Sequence, residues 1–333
     1  MHEPERTGRQ NPAPAAGAGE PWREPARGGH PDARIAALTG AGQLEALLTG
    51  ATPQPPLSHL IGMRLTELGA GTAAFELPLS EWLCSPDGYI PLGVVTIPAD
   101  GAMACAAISH LPAATGLTTT ELSLRQLRPC RPGGTLYARA EVIDMGPPVA
   151  LAEVSVTDDH GTLMARGSSL CVTTTLSAAP VQTDIETESA PPATGAHDAD
   201  PWERQPAGDL AALTGLRRVP AARGRAEFTL PATRWLCAPP PGRVQGGAVA
   251  TLADAAISAV IRDAAGEDAA FMPIELGLNY LRPLASDGRD AVARAELVHA
   301  GRRIGMARAE VTDADGRLIA VAGGSAISTG DRQ

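Results

Sequence analysis

Aromatic side chains are scarce in this chain, which has three tyrosines, three phenylalanines and four tryptophans among its 333 residues. Hydrophobic residues nevertheless make up 44% of the sequence, so its cores must consist mainly of Ala, Val, Leu and Ile. Small side chains of this kind suit a helix that packs closely on a sheet. The length exceeds the roughly 100–200 residues of a single domain and predicts two domains.

Cysteines are also few, and their number, five, is odd. No two of them have the spacing of a metal site or a redox motif, so we predict no metal and a reducing compartment. No segment reaches the roughly 18 continuous apolar residues of a membrane span. The charged, proline-rich N-terminus lacks the apolar stretch of a signal peptide. We therefore expect a cytoplasmic protein with no membrane partner.

A basic stripe is missing too, and the formal net charge is −10. Proteins that bind nucleic acid need clustered Lys and Arg to displace counterions from phosphates, so we expect no nucleic-acid partner. The sequence contains neither a Gly-x-Ser-x-Gly nucleophile elbow nor a glycine fingerprint for dinucleotides. These absences argue against a serine hydrolase of that type and against a nicotinamide or flavin enzyme.

The most informative feature is an internal repeat. Matching segments occur in the same order in both halves: Trp-Leu-Cys at 82–84 and 235–237, Asp100 and Asp254, Leu-Arg-Pro at 127–129 and 281–283, and Thr-Asp at 157–158 and 312–313. The offsets, 153 (235 − 82) and 154 (254 − 100), differ by a single loop residue. Two unrelated alanine-rich domains would not share this ordered set.

Two polar, proline-rich segments mark the boundaries of the repeats. Residues 1–33 are predicted to be a disordered N-terminal segment and residues 177–206 a linker. The first domain then covers residues 34–176 and the second residues 207–329. Each repeat predicts two short strands, the Trp-Leu-Cys loop, a helix and four alternating strands. A buried helix wrapped by an antiparallel sheet of five or six strands is an α+β arrangement, the hotdog fold.

The helix start of the second repeat carries a resemblance to a known family. Gln245-Gly246-Gly247, an apolar stretch and Asp254 resemble the His-Gly-Gly…Asp signature of hotdog acyl-CoA thioesterases of the phenylacetate-catabolism type. The Tyr-Leu-Arg-Pro segment at 280–283 is similar to that family as well. The resemblance implies two tandem hotdog domains that form an intramolecular pseudo-dimer. It also implies a thioester held by a Gly-Gly amide and attacked with help from an acid of the partner helix.

A distance argument predicts that each site is shared between the repeats. Asp254 lies seven residues beyond Gly247, roughly 10 Å along a helix, and is too far to act at its own helix start. We therefore expect Gly246 and Gly247 to work with Asp100, and the first repeat's loop to work with Asp254. The alternatives are a plain Gly-Gly turn and buried aspartates that only satisfy backbone groups.

The two sites are not expected to be equal. Where the second repeat has Gln245-Gly246-Gly247, the first has Pro-Leu-Gly at 91–93, and Pro98 falls within its helix. Proline breaks helix interiors, so we predict that this helix starts late or bends. The expectation is one working site, built from the second repeat's loop and Asp100, with the first domain degenerate.

Further candidates surround this site. Thr119, at the strand after the first helix, could position water, although it could equally be an ordinary strand residue. Arg302, Arg303 and Arg282 could meet the phosphates of coenzyme A, since guanidinium groups suit phosphate oxygens. The alternative for the Arg302–Arg303 pair is an exposed hairpin. Gln245 stands where the family has histidine, and its amide could still hold a loop or water.

The predicted activity is hydrolysis of an acyl-CoA or acyl-carrier thioester, with coenzyme A entering only as part of the substrate and no other cofactor. Asp100 would act as general base or as nucleophile. One alternative is a hotdog dehydratase or isomerase, and another is a non-catalytic acyl-CoA-binding module. Because a tandem pair already forms the usual hotdog dimer, two such chains could pair further as a homodimer.

Overall fold

The computed structural model describes residues 20–175, 209–266 and 271–329. The first half contains α1 Ala33–Ala36, α2 Gly40–Leu48, α3 Pro56–Ile61, β1 Arg64–Gly69, β2 Thr72–Pro78, α4 Leu92–Ile108, β3 Thr115–Gln126, β4 Thr135–Gly146, β5 Val149–Thr157 and β6 Leu163–Thr175. The second contains α5 Leu210–Thr214, β7 Arg217–Val219, β8 Arg225–Pro231, α6 Gly246–Ala265, β9 Phe271–Tyr280, β10 Asp290–Ala300, β11 Ile304–Thr312 and β12 Leu318–Ser328.

All the strands belong to one antiparallel sheet of 12 strands, in the order β1-β2-β4-β5-β6-β3-β9-β12-β11-β10-β8-β7. The order reads alike from both edges, because each half contributes equivalent strands to equivalent places. The halves join through β3 and β9, where Ser123 pairs with Gly277. These residues occupy the same place in the two repeats (277 − 123 = 154), so a pseudo-twofold axis passes through the pair. The predicted α+β architecture of two tandem hotdog domains is confirmed.

The long helices α4 and α6 pack on the strands of their own halves and against each other. Glycine allows this close approach. A Cβ atom on Gly93 would lie 2.6 Å from Cα of Thr251, and one on Gly247 would lie 2.6 Å from Cα of Ile97. The two helix starts therefore contact the opposite helix backbone to backbone, which brings the aspartate of each helix close to the glycines of the other.

The predicted late start of the first repeat's helix is wrong. Helix α4 begins at Leu92, the position equivalent to Gly246, and continues through Pro98. An interior proline removes one helical hydrogen bond and disfavours the turn before it. The sheet on one side of α4 and α6 on the other bury most of this helix, and that packing overrides the local preference.

Short elements of each repeat also hold the other repeat. The amide of Leu57 in α3 donates to the Cys237 carbonyl at 3.2 Å, and the amide of Leu210 in α5 donates to the Cys84 carbonyl at 2.9 Å. The Trp-Leu-Cys turns are therefore docking points between the halves. Trp82 and Trp235 are only 2% and 1% exposed within these turns, so they anchor the cores.

The N-terminal region differs from the predicted disordered segment at residues 1–33. Residues 1–19 lie outside the described residues, whereas residues 20–33 pack on the protein. The indole N–H of Trp235 donates to the Glu24 carbonyl at 2.9 Å, and the Gly29 amide donates to the Gln54 carbonyl at 3.0 Å. The first element that recurs in both repeats is α3, so α1 and α2 extend the hotdog unit. The predicted linker at 177–206 lies outside the described residues.

Candidate active site

The structure brings Asp100 of α4 together with the start of α6. Asp100 is only 5% exposed, and its Oδ2 atom lies 2.9 Å from the place of a Cβ atom on Gly246. The Gly247 amide donates a hydrogen bond to the same carboxyl group. An acid of one repeat thus lies directly beside the amide-rich helix tip of the other.

Burial controls the acidity of Asp100. Loss of solvent raises its pKa to about 6, against the smaller lowering effects of the Thr119 hydroxyl and the Gly247 amide. Thr119 donates to Oδ1 of Asp100 at 3.1 Å. Both hydrogen bonds favour the charged form, whereas burial favours the neutral form. The group is therefore ionised at neutral pH and protonated a little below it.

The Gly246 amide is available to a ligand. Within the described part of the chain its N–H has no hydrogen-bond partner, and Gly246 lines a cavity. It lies in the first turn of a 20-residue helix, where free N–H groups carry about half of an elementary positive charge. This donor is suited to an oxygen that gains negative charge beside Asp100.

Gln245 and Tyr280 hold the helix tip in place. The Gln245 side chain accepts from the Ala248 amide at 3.2 Å and donates to the Ile97 carbonyl of α4, also at 3.2 Å. Gln245 is thus the N-cap of α6 and a tie between the repeats. The Tyr280 hydroxyl donates to the Gly246 carbonyl at 2.9 Å.

Sequence reasoning missed Tyr280 as a site residue. Burial and the nearby carboxylates of Asp100 and Glu121 raise the pKa of Tyr280 well above its usual value of 10, so the hydroxyl remains a donor. Its equivalent in the first repeat is Gln126 (280 − 154), one of three differences between residues 121–129 and 275–283. That mismatch was the signal available, since a residue needed at only one of two duplicated sites should differ between the repeats.

A cavity of about 370 Å³ opens from this site. Its walls come from the start of α6 and the end of β9, from one face of α4 with β3, and from α2 and α3. Arg243 and Arg282 lie on the lining and are both exposed. They mark the mouth, while Asp100 lies inside.

The equivalent site of the other repeat is closed. Asp254 is 2% exposed, and its Oδ2 accepts from the Gly93 amide at 2.8 Å. Ser258 donates to its other oxygen at 3.2 Å. Leu92 occupies the position of Gly246, is fully buried and, like Asp254, does not line the cavity. Burial raises the pKa of Asp254, against the lowering effect of the Gly93 amide. Here the aspartate joins two helices and lies outside the cavity that Asp100 lines.

The three predicted phosphate-binding arginines are not brought together. Arg302 and Arg303 are exposed in the turn between β10 and β11, and the adjoining Gly305 packs on Ile261. Because Ile261 is fifteen residues beyond Gly246, this turn lies about 22 Å further along α6. Only Arg282 is at the cavity.

Arg282 also has a structural contact. It donates to the Leu318 carbonyl at 2.8 Å, and its equivalent Arg128 makes the matching bond to the Leu163 carbonyl. A contact that recurs at both sites serves the fold. Arg243, whose equivalent is Tyr89 (243 − 154), is the cation specific to the open site, and sequence reasoning missed it.

We expect Thr119→Val to shift the pH dependence of the site. Removing the hydroxyl takes away a hydrogen bond that favours the charged carboxylate, so the pKa of Asp100 should rise further. Turnover at pH 6 should fall by about tenfold and recover at higher pH, as expected for a charge-assisted bond. Thr119→Ser retains the hydroxyl and should keep the original profile. Equal losses at every pH would contradict this role for Thr119.

One family model matches a segment of each repeat. The model of the thioesterase superfamily matches residues 92–165 and 241–320, one segment in each repeat. Each segment begins near the start of a long central helix. A comparison with curated proteins finds no significant match.

Solved structures share the double-hotdog architecture. A tesB protein of Mycobacterium avium subspecies paratuberculosis has a TM-score of 0.56 at 13% identity, covering 82% of this chain and 98% of its own. Acyl-CoA thioesterase II TesB2 of Mycobacterium marinum has a TM-score of 0.54 at 12% identity, with 83% and 98% covered. A hot dog protein of unknown function from Alicyclobacillus acidocaldarius has a TM-score of 0.51 at 12% identity, with 80% and 96% covered. At these identities the likeness shows the fold.

Across residues 20–175, 209–266 and 271–329, no helix combines the length and hydrophobicity of a membrane span. In the same ranges, no group of three or more His, Cys, Asp and Glu side chains is arranged to hold a metal ion.

Proposed function

We propose that the chain is a thioester hydrolase that cleaves acyl-CoA or a related acyl thioester where Asp100 meets Gly246, in keeping with the match of both repeats to the thioesterase superfamily model. One observation carries the assignment to this site. A buried, ionisable carboxyl group of one repeat lies against an unpaired amide of the other, at the wall of a cavity. The equivalent pair, Asp254 and Leu92, lies outside this cavity.

The helix tip supplies the electrostatic part of the reaction. Attack on a thioester places negative charge on the carbonyl oxygen, and a preorganised N–H donor stabilises that charge. The Gly246 amide is such a donor, since Gln245 and Tyr280 hold its surroundings in place. The absence of a side chain at Gly246 lets the carbonyl approach the backbone closely.

Asp100 supplies the carboxylate. In its ionised form it can deprotonate the attacking water or attack the carbonyl itself, after which water releases the acid. The products are the carboxylic acid and the free thiol of the carrier. The Thr119 hydroxyl, which donates to one oxygen of Asp100, orients the carboxyl group.

The mouth of the cavity suits a carrier that bears phosphate. Arg243 and Arg282 are exposed there, and guanidinium groups pair with phosphate oxygens. Neither arginine forms an ion pair in the described part of the chain. Coenzyme A or the phosphopantetheine of a carrier protein would place its negative charge at this rim.

The dehydratase alternative has less support. Such chemistry pairs an acid with a histidine, and the cavity, as far as the described residues line it, contains no histidine. The position that carries histidine in the family is Gln245, whose two bonds serve the helix start.

Release of free thiol from a panel of acyl-CoA substrates tests the function directly. We expect hydrolysis of at least one acyl-CoA at a rate proportional to enzyme concentration. The same panel with enoyl-CoA substrates, followed by loss of their ultraviolet absorbance, tests hydration. Hydration without thiol release would reject the proposed reaction.

The pH dependence should follow Asp100. Since the carboxylate is the active form and its pKa lies at about 6, kcat/KM should rise with pH and reach half of its plateau near pH 6. Well below that value the rate should fall about tenfold per pH unit. Initial rates in constant-ionic-strength buffers measure this profile. A half-maximum near pH 4, where an ordinary aspartate titrates, would exclude Asp100 as the group.

A further inference from the structure

The far side of the cavity is closed by α2, which precedes the repeated elements, together with α3. Helices α2 and α3 and the loop between them supply this wall, through Gln43, Leu44, Leu47, Thr52, Pro53 and Leu57. The two repeats share the remaining walls in the manner of a hotdog pair. Helix α2 is therefore an addition to the fold that contacts the substrate space.

Helix α2 is fixed to α4 by a close backbone contact. The Gly40 amide donates to the Leu111 carbonyl at 3.0 Å. A Cβ atom at Gly40 would lie 1.8 Å from the Ile108 carbonyl oxygen, so only glycine fits there. The start of α2 is thus seated on the end of α4, and the helix forms a fixed end to the cavity.

The residues of α4 that line the cavity give its length. Gly101, Ala104, Cys105 and Ile108 line it, and this spacing places them on one helix face that continues from Asp100. Ile108 is eight residues beyond Asp100, about 12 Å along the helix. An extended acyl chain of roughly ten carbon–carbon bonds has this reach.

The volume of the cavity indicates an acyl group of similar length. A space of about 370 Å³ holds roughly twelve water-sized groups at about 30 Å³ each. Some of this room belongs to the thiol end of the carrier. An acyl group of about eight to ten carbon atoms fills the rest.

The lining also indicates the chemistry of the acyl group. Beyond Asp100 and the two arginines of the mouth, no charged side chain lines the cavity among the described residues. The side chains that line the cavity include those of Leu44, Leu47, Phe75 and Leu117. A charged acyl terminus would lose its hydration here without a partner, which is unfavourable.

We propose that α2 is the end wall of the acyl pocket and that Leu47 on it limits chain length, so that the enzyme selects uncharged acyl groups of about eight to ten carbon atoms. This inference rests on the proposed function. Leu47 faces the cavity, whereas its neighbour Leu48 is 38% exposed and does not line it. The pair offers a test variant and a matched control on the same helix.

Values of kcat/KM for straight-chain acyl-CoAs of about two to sixteen carbons, in wild type, Leu47→Trp and Leu48→Trp, test the proposal. Wild type should have its maximum at eight to ten carbons. Leu47→Trp should move the maximum to six or fewer and lower the decanoyl-CoA value at least about tenfold, while butyryl-CoA changes less than about twofold. Leu48→Trp should keep the wild-type profile.

The outcomes separate the two proposals. Failure of wild type to hydrolyse any member of the panel would reject the proposed function. Hydrolysis with a maximum outside the medium range, or one profile shared by all three proteins, would overturn the inference alone. Should thermal melting show that Leu47→Trp is unfolded, Ala104→Leu narrows the same space from α4 and is expected to produce the same shift. An unchanged profile in folded Ala104→Leu would also overturn it.

Discussion

Asp100→Asn is expected to lower kcat about a thousandfold or more while the protein remains folded. The amide has nearly the shape of the carboxyl group but can neither take a proton from water nor attack a carbonyl. Loss of a positioned general base typically costs 10²–10⁴ in rate, roughly, and loss of a nucleophile costs more. Substrate binding should survive, since Gly246 and the apolar walls remain. Single-turnover kinetics and equilibrium binding of a non-hydrolysable thioether analogue measure the two effects separately.

Thermal stability provides a second test of Asp100→Asn. The folded-state pKa of Asp100, about 6, lies above the usual 3.8, so the folded state binds the proton more tightly than the unfolded state. The destabilisation from this group is therefore absent below pH 4, grows between pH 4 and 6, and is constant above. The variant lacks that cost, so its melting temperature at pH 7.5 should be no lower than that of wild type. The difference between variant and wild type should favour the variant more at pH 7.5 than at pH 4.

Asp254→Asn is the matched control. Asp254 occupies the equivalent place in α6, but it faces the Gly93 amide and lies outside the cavity. The asparagine oxygen can still accept from that amide, so activity should stay within about threefold of wild type. A large loss in this variant with full activity in Asp100→Asn would assign the reaction to the other pair of residues.

The duplication alone made much of the fold predictable. Because Trp82 and Trp235, and likewise Asp100 and Asp254, recur in order, one interpretation had to account for both halves. The alternation of strand residues with period two then implied a sheet with one buried face, and the structure shows it on strands such as β5 and β11.

The placement of Asp100 beside the start of the other helix was predictable because it depends on helix geometry. The distance between Gly247 and Asp254 along one helix excludes a site within one repeat. The structure places Asp100 beside Gly246, as the spacing implied. What spacing could not supply is the role of a long-range contact such as the hydroxyl of Tyr280, which donates to the Gly246 carbonyl.

The errors came from features that tertiary packing decides. Pro98 has a poor local propensity for the helix interior, yet the surrounding layers hold α4 together from Leu92. The polar composition of residues 20–33 suggested disorder, although Trp235 and other partners on the repeats fix that stretch. The Arg302–Arg303 pair looked suited to phosphate, but the hairpin that carries it lies at the far end of α6. Neither composition nor a sequence motif shows which distant parts of the chain lie beside each of these segments.

Two aspartates in nearly the same sequence context thus have different surroundings, and the residue opposite each one contributes to the difference. Opposite Asp100 is Gly246, which leaves room and an unpaired amide. Opposite Asp254 is the start of α4, where Leu92 fills the equivalent space. The position of Gly246 and Leu92 is therefore one of the differences between the open site and the closed one.

Gly246→Leu, which copies the first repeat, should close the open site and lower kcat/KM by more than about a hundredfold. A side chain here begins 2.9 Å from Oδ2 of Asp100 and 3.4 Å from the hydroxyl of Tyr280, so it occupies the place where the thioester carbonyl would meet the amide. Loss of one oxyanion donor alone typically costs about 10²–10³ in rate. Gly246→Ala should give a smaller loss, because only one carbon atom enters.

Gly323→Ala, in β12, is the control for adding a side chain at a glycine. A Cβ atom there meets no atom within 4 Å, so this variant should keep wild-type kinetics. Gly246→Leu should still fold, since the equivalent leucine is accommodated in the other repeat, and circular dichroism with thermal melting verifies this. If folded Gly246→Leu hydrolysed acyl-CoA at the wild-type rate, the carbonyl could not lie at the Gly246 amide, and the oxyanion donor would have to be sought elsewhere along the cavity.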